Sequence, residues 1–225
     1  MVCYKGVIEM EYELNVKSLA IFELKSLLGR CFLKTTPKLY GKSNYLNLGC
    51  GSNIIKGYVN ADFFGPFKFW KKTFKKEWYL DLRYPLNCEG EVFEGVYSEH
   101  TLEHLYPRQA DALLRELYRV SKKGAVIRIT VPDIERYVNF YIADDEIFDH
   151  REFNKRYKNG CLAIRNITQN YFHNSTWDYE LLSSSLAEAG FVDIKRMSFN
   201  KSRDQKLELD IKERKWETLY VEGVK

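Results

Sequence analysis

The sequence predicts an α/β protein: a mostly parallel sheet of seven strands, helices on both faces and an antiparallel last strand. Three observations lead there. Short apolar runs alternate with longer segments of helical period, the pattern of strands joined by crossover helices. The first run ends in two glycines one residue apart, and an acidic residue closes the next. A polar, hairpin-like stretch precedes the final run and turns that strand back against its neighbours.

A chain of 225 residues suffices for one domain with an appendage. The expected division is an N-terminal helical extension, 1–42, and one domain, 43–225, within which 134–176 form a lid or substrate region. Hydrophobic residues make up 45% and aromatics 15%, which excludes a disordered chain. A net charge of +4 carries no global signal for a polyanionic partner. Cys3, Cys31, Cys50, Cys88 and Cys161 show no close-paired spacing, so neither structural zinc nor a disulfide framework is expected and the thiols read as buried or incidental. Residues 1–13 lack an apolar signal-peptide core, and no stretch reaches about 18 uncharged apolar residues. A soluble protein of a reducing cytoplasm is expected.

Asn15 is placed to cap a helix running to about residue 33. Val16, Ala20, Leu24, Leu27, Leu28 and Cys31 recur at helical spacing, with Lys17, Glu23, Lys25 and Arg30 on the other side. This stripe predicts a helix packed on the core; a lid or a membrane-surface helix are the alternatives, so peripheral membrane contact stays open. Pro37 and Gly41 mark a linker. Residues 45–48 form the first strand and 58–61 the second, closed by Asp62. Parallel neighbours usually need a dozen or more connecting residues, so a helix of one turn at most fits between them. If it is missing, the 15–33 helix is available to cover the bare face of the sheet.

Residues 63–79 interleave aromatics with lysines. An amphipathic helix with its aromatics inward is expected; a membrane interface, single-stranded nucleic acid or an anionic glycan are the other readings. The third strand ends in 79–82, with Asp81 at the same sheet edge as Gly49 and Asp62. Residues 93–98 are the fourth strand, followed by Glu-His-Thr-Leu-Glu-His (99–104). Pro107 opens a helix with Ala110, Leu113, Leu114, Leu117 and Tyr118 inward, and Lys122-Lys123-Gly124 predicts its end. The fifth strand, 125–131, is closed by Pro132-Asp133. Residues 134–176 are charged, aromatic and poorly patterned, and read as helices and loops over the open edge of the sheet. Asp178 caps a last helix with Leu181, Leu182, Ser185, Leu186 and Ala189 inward and Gly190 as its stop. Strands six and seven follow at 191–197 and 216–221.

The glycine turn reads as a nucleoside site. Gly49 and Gly51 free the strand end of Cβ atoms, so backbone can approach a ligand closely, and Asp62 is placed to accept hydrogen bonds from two ribose hydroxyls. A dinucleotide fits poorly: the third-glycine position holds Ile54, and Asp62 follows Gly51 by 11 residues where about 20 are needed. The Lys and Ser/Thr of a phosphate loop are absent as well. His100 and His104 lie at i and i+4, on one face if helical, at the carboxyl end of the fourth strand. They lack the glutamate directly after the first histidine of a zinc-protease motif, so no metal is expected. Tyr118 and Lys122 match a reductase spacing by chance, with no glycine fingerprint beside them.

These pieces together resemble the class I S-adenosylmethionine-dependent methyltransferases over residues 44–225. The resemblance is carried by Leu-Asn-Leu-Gly-Cys-Gly (46–51), Gly-Tyr-Val-Asn-Ala-Asp (57–62), Asp-Leu-Arg-Tyr-Pro-Leu (81–86), Ser-Glu-His-Thr-Leu-Glu-His-Leu (98–105), Glu-Leu-Tyr-Arg-Val (116–120) and Ile-Thr-Val-Pro-Asp (129–133). It is similar in particular to stand-alone bacterial enzymes associated with surface polysaccharide biosynthesis. It implies a Rossmann-like fold, S-adenosylmethionine as methyl donor and S-adenosylhomocysteine as product. It places Gly49 and Gly51 against the methionine moiety, Asp62 on the ribose, Asp81 and Leu82 around the adenine, and Ser98 to His100 beside the transferring methyl, with Leu48, Cys50 and Phe63 also at the cofactor. Asn47 stands where many relatives carry an acidic residue, and Lys123-Gly124-Ala125 replaces the more usual Pro-Gly-Gly.

The sulfonium donor is already activated, so an in-line approach and exclusion of water supply most of the rate. A hydroxyl acceptor also needs a base. His104 and His100 are the candidates, with Glu99 or Glu103 to orient the ring; His173 is a third, and His173 and Asp133 are expected toward the acceptor. The acceptor is expected to be a small molecule or a glycan, methylated on oxygen. An RNA methyltransferase using 63–79 is the rival reading, with nucleic acid the less favoured partner. A cofactor-binding protein without catalysis is the other.

Overall fold

The computed structural model describes residues 16–33, 36–64, 76–144 and 146–225. Seven strands form one sheet in the order β3-β2-β1-β4-β5-β7-β6. They are β1 (Tyr45–Leu48), β2 (Val59–Asp62), β3 (Trp78–Tyr79), β4 (Phe93–Glu99), β5 (Ser121–Pro132), β6 (Val192–Arg196) and β7 (Thr218–Val224). All pairings are parallel except those of β7, which runs antiparallel to both β5 and β6. Strand β1 lies between β2 and β4, with Leu46 level with Val59 on one side and Val96 on the other. The chain therefore winds outward in both directions from β1, and a crevice opens at the carboxyl ends of β1 and β4.

The central strands are apolar on both faces because both faces are covered: Leu46, Leu48, Val59, Ala61, Val96, Ile127, Ile129 and Val131 are all buried. Helix α2 (Pro107–Val120) presses Ala110, Leu113, Leu114, Leu117 and Val120 onto this core. It ends at Val120, earlier than Lys122-Lys123-Gly124 suggests. Ser121 Oγ donates to Leu117 O at 2.7 Å, and the basic stretch is drawn into β5, where Lys122 pairs with Glu94. Helix α6 (Tyr179–Ala189) is capped as expected, with Asp178 accepting from Leu181 N at 2.8 Å and Gly190 stopping it at φ +109°; Leu182, Ser185, Leu186 and Ala189 are buried, whereas Leu181, expected inward, is exposed. Between β5 and α6 lie α3 (Ile134–Ile142), α4 (Arg151–Asn154) and α5 (Gly160–Gln169). They share a second core of Tyr137, Phe140, Phe153, Ala163 and Ile167.

The β1–β2 connection, where one turn of helix at most was expected, contains turns and no helix, held by Asn53 N to Cys50 O (2.7 Å) and Tyr58 N to Ile55 O (3.2 Å). Helix α1 (Val16–Leu28), continued by a π-helical turn Gly29–Leu33, does not bury its apolar stripe: Val16, Leu24 and Leu27 are exposed. It docks through its other side. Ser26 is fully buried, and Glu23 and Ser26 bond to the charged pair Arg83–Asp81 just past β3. A polar docking ground selects the polar face. The aromatic-lysine segment 63–79 falls mostly outside the described residues, so the helix expected there does too.

Candidate functional site

Gly49 and Gly51 turn the chain out of β1 in the left-handed region, at φ +67° and +52°. A Cβ on Gly49 would overlap Thr101 Oγ1, whereas one on Gly51 would meet nothing within 4 Å. The first glycine lets the β4 loop close over the turn; the second leaves the crevice open. Cys50 donates its backbone N–H to Ala61 O at 3.1 Å. Its thiol is buried and pushed up to about 11 by desolvation, which makes it unreactive. Two asparagines replace the missing helix as a fastening. Asn47 Nδ2 donates to Asn53 O and to Asn60 Oδ1 (2.8 and 2.9 Å). Asn60 Oδ1 also accepts from Ile55 N, and its Nδ2 donates to Ile55 O, both at 2.9 Å. The sequence signal was an asparagine between Val59 and Ala61 in a buried strand, a group that has to find partners.

Leu48 and Ser98 face each other across the β1–β4 register and are both buried. Asp62 ends β2 as expected. Its Oδ1 accepts from Phe63 N at 2.7 Å, and its Oδ2 pairs with the Lys76 ammonium. Asp81 lies at the same edge, linked through Leu80 N to Asp62 O at 3.0 Å, but its carboxylate is already engaged. Arg83 Nε and Nη2 reach it at 3.0 and 2.7 Å and Ser26 Oγ donates at 2.5 Å. Burial pushes this carboxyl up, and the bonds from Arg83 and Ser26 outweigh it, so it sits below the ordinary aspartate range. Leu82 is half-buried against the core. Phe63 stacks on Phe22 of α1 at 4.4 Å. A cavity of about 390 Å³ opens between α1 and the end of β3, lined by Gly29, Phe64, Leu80, Asp81 and Tyr84. Helix α1 therefore roofs the end of the cleft where the adenine was expected.

Beyond β4 the chain makes a 3₁₀ turn, Leu102–His104, in place of a helix. His100 sits in the left-handed region at φ +47°, with its N–H on Thr130 O at 2.9 Å. Thr218 Oγ1 donates to Arg214 O, so it accepts from His100 Nε2 at 2.9 Å and leaves Nδ1 without a proton. That bare Nδ1 is 3.6 Å from Glu103 Oε1, and His173 Nε2 is 4.0 Å from the same oxygen. Glu103 is buried and neither of its carboxyl oxygens has a hydrogen-bond partner. Desolvation pushes it up to about 8, lowers His173 to about 4, and lowers His100 and His104 as well. His173 comes from the loop after α5, which Glu103 pins: its carbonyl accepts from Asn174 N (2.8 Å) and Ser175 N (3.1 Å).

Glu103, His104 and His173 thus form one cluster, His104 exposed at its rim. Glu99 does not join it; its Oε1 accepts from Ile211 N at 3.0 Å. Asp133 serves as the α3 cap, accepting from Glu135 N at 3.2 Å, and its Oδ2 is held by Arg196 at 2.8 Å. Thr101, Lys76 and Ser26 were not singled out in the sequence. Each meets the site through a contact at least 14 residues away in the chain, which no local spacing encodes.

No family model and no curated protein matches the chain. Solved structures do. A S-adenosylmethionine-dependent methyltransferase from Archaeoglobus fulgidus aligns over 94% of this chain and 100% of its own, at 17% identity and a TM-score of 0.50. A structure from Thermotoga maritima, described as a S-adenosylmethionine-dependent methyltransferase and possible histamine N-methyltransferase, aligns over 93% and 94% at 14% identity and 0.52. At these identities the likeness is one of fold: a Rossmann-like methyltransferase sheet with its reversed seventh strand.

Proposed function

We propose that the protein is a S-adenosylmethionine-dependent methyltransferase acting on a small-molecule or glycan acceptor. One observation carries the reading: the Cβ-free turn Gly49–Gly51 at the switch point between β1 and β4, with Asp62 ending the neighbouring strand. The connection that follows supports it. Dinucleotide sites hold the pyrophosphate on a helix N-terminus after the glycine turn, and the described connection here, 49–58, contains no helix. A cofactor without phosphate suits such a turn.

Bound there, S-adenosylmethionine supplies a methyl group on a sulfonium leaving group. The chain's part is to hold and orient. Gly49 and Gly51 admit the methionine end, and Asp62 takes the ribose hydroxyls once Lys76 shares or yields its oxygen. The acceptor is assigned to the end of β4, where His100, Glu103, His104 and His173 gather beside Thr101, itself packed over Gly49. An oxygen nucleophile is favoured because this cluster offers imidazole nitrogens to receive its proton. The glycan class of acceptor, within cell-surface polysaccharide synthesis, rests on the sequence resemblance. Calorimetry with S-adenosylmethionine and S-adenosylhomocysteine tests the cofactor: micromolar binding is expected, and its absence sinks the assignment. Turnover with nucleotide-sugars and glycans tests the acceptor, and binding without turnover on any of them would favour a non-catalytic partner protein.

A further inference from the structure

We propose that Glu103, His104 and His173 bind a divalent first-row transition ion of the zinc class. Each residue offers one ligand atom, and the three atoms lie within 4.8 Å of one another. Ligand bonds of about 2.0–2.1 Å in tetrahedral geometry separate neighbouring ligand atoms by roughly 3.3 Å, so side-chain adjustments of about an ångström would close the site.

The second argument is the carboxyl group itself. Glu103 is buried, both its oxygens lack hydrogen-bond partners, and the His100 and His173 imidazoles lie beside Oε1, with Arg214, Glu217 and Glu99 also in electrostatic reach. His173 Nε2 at 4.0 Å and His100 Nδ1 at 3.6 Å are too far to bond it, and the hydroxyl of Thr218 fixes His100 Nδ1 as a lone pair. A buried carboxyl beside imidazole lone pairs needs a proton or a cation between them, and a single carboxyl proton can serve one imidazole only. An ion does this for all of them together.

The outer contacts agree. His173 Nδ1 lies 2.7 Å from Ile167 O and donates to it, which frees Nε2 toward Glu103. A metal-binding histidine typically spends its other nitrogen this way. One carboxylate and two imidazoles leave a coordination position open, on the side where His104 reaches solvent, so the site is built to accept an exogenous oxygen. With the reading above, that oxygen belongs to the methyl acceptor, but binding of the ion does not depend on that reading.

The test uses tag-free protein, stripped with chelator and titrated with Zn²⁺ by calorimetry and with Co²⁺ by visible absorption. One equivalent is expected to bind, with the intense absorption of a site of low coordination number. Glu103→Gln and His173→Ala should weaken binding by more than the roughly 10–100-fold typical of losing an outer partner, while His150→Ala leaves it unchanged. Thermal unfolding without metal checks that each variant folds; Glu103→Gln should be at least as stable as the parent. Added Zn²⁺ should raise the midpoint of the parent alone. No saturable binding, or binding equal in Glu103→Gln and His173→Ala, would overturn the proposal. S-adenosylmethionine affinity of the same samples is read separately, so loss of one result leaves the other standing.

Discussion

Substituting the two turn glycines has different costs. An alanine at Gly51 meets open space and bears only the left-handed backbone, about 1–2 kcal/mol. At Gly49 the same strain adds to an overlap with Thr101, and overpacking costs typically another 1–3 kcal/mol. Gly49→Ala should therefore lower the unfolding midpoint by clearly more than Gly51→Ala, in a denaturant titration with unchanged slope. Both should weaken S-adenosylmethionine. Asp62→Ala should remove charge-assisted hydrogen bonds of roughly 1.5–3 kcal/mol each from cofactor binding; unchanged affinity in calorimetry would take Asp62 off the ribose. At this scale the sequence was informative wherever one residue's chemistry is local: the glycines, Asp62, the caps Asp178 and Gly190. It was uninformative about Glu103 as a meeting point, because His173 arrives from beyond α5 and His100 is fixed by Thr218, 118 residues away.

At the scale of elements, α1 shows what periodicity can and cannot say. The spacing of Val16, Leu24 and Leu27 correctly marks an apolar side, but docking is decided by the surface that receives the helix. That surface is Asp81–Arg83, so Ser26 and Glu23 go in and the leucines stay out. The docking should depend on pH. Asp81 has a lowered folded pKa, so its contribution is present above the ordinary aspartate value of about 3.9 and is lost as pH falls through the lower folded value. Amide exchange of α1 should accelerate on acidification before that of α6, and Asp81→Asn should remove the difference. Ser26→Ala should loosen α1 at neutral pH by the same readout. The end of α2 was misjudged for a related reason: Lys122-Lys123-Gly124 has the chemistry of a helix stop, but β5 claims the stretch through Ser121 level with Phe93 and Gly124 N on Lys225 O.

Across the whole molecule, the strand sequence was legible because the central strands must be apolar on two faces, and the reversal of the last strand because a polar, hairpin-like stretch precedes it. The hub that ties the far half together was not. Arg128, fully buried in β5, reaches Asp210 through Nε at 2.9 Å and Glu222 of β7 through Nη1 at 2.9 Å, and also holds Lys201 O and Ser198 O. Arg128→Met would strand two buried carboxylates and should cost roughly 3–5 kcal/mol in global stability. A cost near zero in a denaturant titration would mean that the carboxylates find other partners.

The position of β7 also sets a timetable. It is the last strand in the chain, yet it lies between β5 and β6, and its Thr218 anchors His100. During synthesis β6 therefore has no neighbour to join, and β5 keeps a bare edge, until 218–224 have left the ribosome. Nascent chains halted before that point carry an unpaired strand edge open to chaperones and to one another. The imidazole cluster is then among the last features of this sheet to come into being.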